Sequence, residues 1–301
     1  MNTKNFSFLL LLIALAGCKK IGSTHSSHVI IINGPQALVQ QTDIQKEKII
    51  TIWIHGTRVF FSRFILPNFF HTRLGLHNAL EFDKKYHVRE IADLLCSIAP
   101  DKFSLDDFYF YGWSGKLSFK ARYKAAKKLF KLLIVLIEKS EQKYGFKPKV
   151  RLITHSHGGN LALNLAHFNE NSNLIIDELI LLACPVQKRT CHLSKHEMFK
   201  KIYSLYSRFD SFQVIDPQRI YYWLKKDSFG SSPEKPDSFF SGRCFDPHAT
   251  IKQIPLRFNN RGIMHIEFIT NKFITALPAI LDEIDSWNDM TPTDFISIKS
   301  Q

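Results

Sequence analysis

Val150-Arg151-Leu152-Ile153-Thr154-His155-Ser156-His157-Gly158-Gly159-Asn160-Leu161-Ala162-Leu163-Asn164-Leu165-Ala166 is the stretch on which the fold turns. Val150 to Thr154 reads as a strand, and the earlier run Ile49 to Ile54 is β-branched and apolar throughout, the pattern of a strand buried on both faces. The glycine pair Gly158-Gly159 marks a tight turn, and Leu161 to Ala166 reads as a helix. Upstream, Phe119 to Lys143 repeats apolar residues at helical spacing, including Ala121, Ala125, Leu129, Leu132 and Leu136. Gly145 and Pro148 end that helix, and its lysines are expected to face water. Asp107 to Trp113 and Ile49 to Ile54 read as earlier strands, with regular structure beginning at Val29 to Asn33. Downstream, Ile175 to Ala183, Lys201 to Tyr206 and Ile251 to Phe258 read as strands, and Ile266 to Trp287 as a closing helix. Strands alternating with helices predict an α/β fold, a mostly parallel central sheet with helices on both faces. Asp227 to Ser241 reads as a surface excursion before the last strand.

The Val150–Ala166 string resembles the nucleophile elbow of the α/β-hydrolase superfamily, in particular its lipases and esterases. Ser156 and Gly158 match the G-x-S-x-G pattern, and Thr154 stands where the first glycine is usual. The resemblance implies that Ser156 is the nucleophile and that the His157 amide supplies one arm of an oxyanion hole. His55-Gly56-Thr57, directly after the Ile49–Ile54 strand, resembles the superfamily's oxyanion loop, with Thr57 supplying the second amide. A serine needs a base, and the base needs an orienting carboxylate. The superfamily order of serine, acid and histidine points to Asp210 and His265. His248 is the rival base. Asp216, Asp237 and Asp246 are rival acids, while Asp177 precedes its strand and faces the wrong end of the sheet. His155 is expected to pack beneath the elbow. The aromatic cluster Phe60, Phe61, Phe64, Phe69 and Phe70 reads equally as an acyl pocket, a lid or core.

Lys4 followed by the apolar run Phe6 to Ala14 forms a secretory signal too short to span a bilayer. Leu15-Ala16-Gly17-Cys18 resembles the lipobox of bacterial lipoproteins, which implies a lipidated Cys18 and a membrane tether. The organisation expected is residues 1–17 as signal peptide, 18–28 as lipidated tether and 29–301 as a single hydrolase domain. Lys19 and Lys20 in place of a retention aspartate lean towards the outer membrane of a double-membraned cell envelope.

With 45% hydrophobic and 22% charged residues, the chain has the balance of a globular protein and not a disordered one. The net charge of +13 is dispersed along the sequence, which with export argues against nucleic acid and fits either an anionic headgroup surface or plain solvation. Cys96, Cys184, Cys191 and Cys244 could pair in an oxidising compartment, with Cys184 and Cys191 close enough for a local loop. No zinc-type cysteine spacing and no HExxH helix occurs, so neither metal nor cofactor is expected. The oligomeric state is left open.

The expected activity is hydrolysis of a carboxylic ester of lipid-like character through an acyl-enzyme on Ser156. Two rivals stand beside it: thioester hydrolysis, peptide hydrolysis or acyl transfer on the same triad, and a hydrolase-like scaffold with a binding or structural role.

Overall fold

The computed structural model describes residues 27–32, 47–57, 72–170, 172–215, 241–259, 261–287 and 295–300. The leader, the lipobox, the Phe60–Phe70 cluster, Asp216 and Asp237 lie outside them.

The strands are β1 (Ser27–Ile32), β2 (Ile49–Ile54), β3 (Gly75–Asn78), β4 (Phe108–Gly112), β5 (Lys149–His155), β6 (Glu178–Leu182), β7 (Ile202–Tyr206), β8 (Ile251–Phe258), β9 (Arg261–Gly262) and β10 (Phe295–Ser300). They form one sheet in the order β1-β10-β8-β7-β6-β5-β2-β4-β3, with β9 paired to β8. Every pairing along it is parallel except β3 with β4 at one edge and β9 with β8. β8 divides its length between two partners: residues 251–255 pair with β7 and residues 256–258 with β10. Pro255, which has no N–H to donate, sits at that hand-over.

The two-residue period of the strands sorts their side chains into two cores. Ile50, Ile52 and Ile54 of β2, Val150 and Leu152 of β5, and Leu179 and Leu181 of β6 point to one face. Trp53, Ile153, Ile180 and Leu182 point to the other. The first face is covered by α2 (Phe119–Tyr144) and α3 (His157–Leu163). The second is covered by α1 (His87–Ile98) and α4 (Asn271–Ser286). Ser118 caps α2 by accepting from Ala121 N at 3.3 Å, and Gly145 closes it in the left-handed conformation at φ 76°. This is the expected doubly covered parallel sheet.

Several elements depart from the sequence reading. The helix expected from Leu161 begins at His157, and a 3-10 turn over Asn164–Phe168 continues it. The closing helix is split: a 3-10 turn over His265–Ile269 precedes α4. β1 starts at Ser27, inside the segment assigned to the tether. Strand β3, helix α1 and strand β10 were not expected. Cys96, Cys184, Cys191 and Cys244 are all free thiols, so the local pairing of Cys184 with Cys191 is not made. Burial pushes the Cys184 thiol up to about 12.

Candidate active site

The end of β5 turns so sharply into α3 that Ser156 adopts φ 53° and ψ −133°. A positive φ at a non-glycine residue stores about 1–3 kcal/mol. It is held by main-chain bonds on both sides: Ser156 N donates to Leu182 O at 2.8 Å, and Gly159 N donates to Ser156 O at 3.0 Å. Gly158 is required by proximity, because a Cβ there would lie 2.6 Å from Ile54 O and 2.8 Å from His55 O. Gly56 is required by the elbow itself, since its Cβ would meet Ser156 Cβ at 2.8 Å. Thr154, the departure from the usual glycine, is fully buried between β2 and β6, and its Oγ1 donates to Ile180 O at 3.2 Å. The hydroxyl is thereby satisfied.

Asp210 and His265 come together from distant positions in the chain. Asp210 follows β7, and His265 opens the turn after β9. Nδ1 of His265 lies 2.7 Å from Oδ2 of Asp210, whose side chain is fully buried while that of His265 is 18% exposed. Asp210 Oδ1 accepts from Gln213 N at 3.2 Å, capping the short helical turn Ser211–Val214. Arg243 fastens the same loop from behind, donating to the carbonyls of Ser207 at 3.2 Å and Asp210 at 3.1 Å. With Nδ1 donating to the carboxylate, the Nε2 lone pair of His265 is left to accept a proton.

His155 connects this pair to the elbow. Its Nε2 donates to His265 O at 3.0 Å, and the two rings lie 4.8 Å apart. Among the described residues no hydrogen bond joins Ser156 Oγ to His265; the Asp210–His265 pair is linked to the elbow through His155, the residue before Ser156.

Thr57 is half-buried, its main-chain amide makes no hydrogen bond among the described residues, and its Oγ1 is buried without a partner there. His157 is the first residue of α3, whose opening amides have no acceptor within the helix. Trp113, at the end of β4, pins the loop that carries Thr57: its main-chain N donates to His55 Nε2 at 3.2 Å, its Nε1 to His55 O at 2.9 Å, and the rings stack at 5.7 Å. In the sequence Trp113 is marked only as the last residue of the Asp107–Trp113 strand. Behind Gly56 and His155 a cavity of about 20 Å³ is lined also by His87, Thr72 and Ile269, room for about one water.

The rival assignments fall elsewhere. His248 is held by Ser194 Oγ at 3.2 Å and Thr250 Oγ1 at 3.0 Å. Asp177 accepts from Val150 N at 2.8 Å, at the start of β5 and so at the opposite end of the sheet from Ser156. Asp246 pairs with Lys195 on the surface. Among the described residues no group of three or more His, Cys, Asp or Glu is placed to hold a metal ion, and no helix is long and apolar enough to cross a membrane.

The histidines flanking Ser156 are neutral. Burial, and then the charge of His265, lower His155 from 6.5 to about 3. Burial, and then the nearby Arg122 guanidinium, hold His157 well below its ordinary value. Both rings take a proton more readily in the unfolded chain, so the stability they support is complete above pH 6.5 and declines as pH falls towards 3. The decline is about 1.4 kcal/mol per pH unit for each ring. Unfolding free energy measured in denaturant is therefore expected to drop by at least about 2 kcal/mol between pH 6.5 and pH 5. A level profile across that window would mean that the two rings accept protons inside the fold.

The sheet order, the strained serine turn and the helix that follows it define an α/β-hydrolase fold. No protein-family model and no curated protein matches the chain. Among solved structures, the Francisella virulence factor BioJ aligns at 12% identity with 81% of this chain and 79% of its own, at a TM-score of 0.41. An esterase from Pyrobaculum calidifontis aligns at 12% identity with 81% of this chain and 78% of its own, at a TM-score of 0.38. Phospholipase PlaB from Legionella pneumophila aligns at 16% identity with 49% of this chain at a TM-score of 0.30, and the match spans only 28% of PlaB.

Proposed function

We propose that this protein is a serine hydrolase that cleaves carboxylic esters of lipid-like character through an acyl-enzyme on Ser156. The observation that carries the reading is the strained Ser156 turn at the same end of the sheet as the buried Asp210–His265 pair. In the proposed reaction His265 Nε2 removes the Ser156 proton as Oγ attacks the ester carbonyl, and Asp210 stabilises the imidazolium. His265 then protonates the leaving alkoxide. Water, deprotonated by the same nitrogen, releases the acid and restores the serine. Amides of Thr57 and His157 receive the oxyanion, each worth about 3 kcal/mol in sites of this kind.

An apolar acyl group is favoured by the rim of the site. Phe212, Met264 and Ile266 are 44%, 48% and 37% exposed, and the Phe212 ring lies 6.1 Å from that of His265. The test is reaction of the native protein with a fluorophosphonate, followed by peptide mapping. A single adduct on Ser156 is the expected result. A folded protein that forms no adduct would replace this reading with that of a hydrolase-like scaffold used for binding, which the missing Ser156–His265 hydrogen bond favours.

We further propose that Cys18 carries acyl chains and tethers the protein to the cell envelope, on the outer membrane. The Leu15-Ala16-Gly17-Cys18 string supports it. Incorporation of labelled palmitate that survives Cys18→Ser would refute it.

A further inference from the structure

Helix α2 carries a charge pattern for which ester hydrolysis has no use. Its inner face, with Ala125, Ala126, Leu129, Leu133 and Ile137, is buried against the sheet. On its outer face Lys120, Lys124, Lys127, Lys128 and Lys131 are all exposed. At 3.6 residues per turn these positions fall within an arc of about 100°, so they form one stripe about 17 Å long.

No Asp or Glu occurs in α2 ahead of Glu138. Among the described residues no carboxylate forms an ion pair with any of the five lysines. A helix face that meets only water ordinarily interleaves the two signs of charge. Like charges three and four residues apart weaken the helix instead. An anionic partner laid along the stripe removes that repulsion.

The neighbouring apolar side chains say what kind of partner. Tyr123, Leu132 and Val135 border the stripe and are 43%, 37% and 47% exposed. Apolar side chains beside lysines suit the boundary between headgroups and acyl chains better than they suit a polyphosphate backbone. The net charge of +13 adds long-range attraction of the same sign. We propose that the outer face of α2 docks on an anionic phospholipid surface, with the five lysines on the headgroups and Val135 and Leu132 at the acyl boundary. This contact is separate from the Ser156 site and from the lipidation of Cys18.

The experiment uses the full chain carrying Cys18→Ser, so that no acyl chain on that residue contributes, with and without Lys124→Gln, Lys127→Gln, Lys128→Gln and Lys131→Gln. Co-sedimentation is measured with phosphatidylcholine vesicles and with vesicles containing phosphatidylglycerol. The four substitutions are expected to lower partitioning onto the phosphatidylglycerol vesicles at least about tenfold and to leave the phosphatidylcholine baseline unchanged. High salt applied to the unsubstituted chain is expected to produce the same loss, because screening shortens the range of the attraction. Partitioning that persists in a substituted chain of unchanged unfolding midpoint would overturn the proposal. So would salt-insensitive binding of the unsubstituted chain, or tighter binding to a duplex DNA fragment than to the vesicles.

Discussion

Ser156→Ala is expected to lower kcat for ester hydrolysis by about 10⁶-fold, the scale of nucleophile removal in serine hydrolases, and to abolish fluorophosphonate labelling. The change deletes one oxygen from a residue whose main chain is held by Leu182 O on one side and Gly159 N on the other. Alanine occupies the same φ 53° backbone at a similar strain, so the unfolding midpoint is expected to stay close to that of the parent. Substrate still reaches the rim formed by Phe212, Met264 and Ile266, and KM changes little as a result. Turnover within tenfold of the parent would place the nucleophile elsewhere.

Asp210→Asn is expected to reduce kcat by about 10⁴-fold. The aspartate has two engagements: Oδ2 receives His265 Nδ1–H and Oδ1 receives Gln213 N–H. An asparagine has one oxygen and one NH₂ group for these two donors. If the oxygen caps Gln213, the NH₂ group faces Nδ1 of His265 and forces the proton onto Nε2, which can then no longer accept one from serine. If the oxygen faces His265, two donors oppose each other at the helix cap, and the buried mismatch costs about 1–3 kcal/mol. Parallel measurement of kcat and the unfolding midpoint separates the two arrangements. A loss in kcat of less than about tenfold would remove Asp210 from the proposed machinery.

The parts of this architecture that were legible in the sequence are those where local chemistry and tertiary placement agree. The apolar residues of Ile49–Ile54 mark β2, Val150, Leu152 and Ile153 mark β5, and Ile251, Ile254, Leu256 and Phe258 mark β8, because burial against helices on either face selects such residues. The sequence places the start of helix α3 four residues late, at Leu161 in place of His157, because glycine is a poor helix former. Gly158 is nevertheless helical: the carbonyls of Ile54 and His55 leave no room for a side chain, and that crowding is a tertiary fact. Strand β3, Gly75-Leu76-His77-Asn78, is a four-residue edge with no β-branched residue and carries no local signal. Helix α1 does carry one, in Val88, Ile91, Ala92 and Leu95, although it is short and follows an aromatic-rich segment that masks it. Asp210 and His265 were found through the order of the chain, whereas their 2.7 Å contact is made by the sheet that joins them. Lysines that look dispersed in the sequence lie on one face of α2, since separations of three and four residues are short distances on a helix and only there.

A parallel sheet has two unlike ends, and that difference would decide how a copy of this protein tethered as proposed at Cys18 stands. β1 runs in the same direction as β5 through the intervening β10, β8, β7 and β6. Ser27 therefore enters at the end of the sheet opposite Ser156, and the seven residues of β5 alone separate those ends by about 23 Å. Residues 19–26, even fully drawn out, reach only about 28 Å. A chain leashed at Cys18 and standing upright would carry the Ser156 end of its sheet outward, away from the bilayer that holds it. Helix α2 links β4 to β5 and runs back alongside the strands. Pressing its lysines onto the headgroups lays the molecule on its flank, with the mouth beside His265 brought level with the membrane surface.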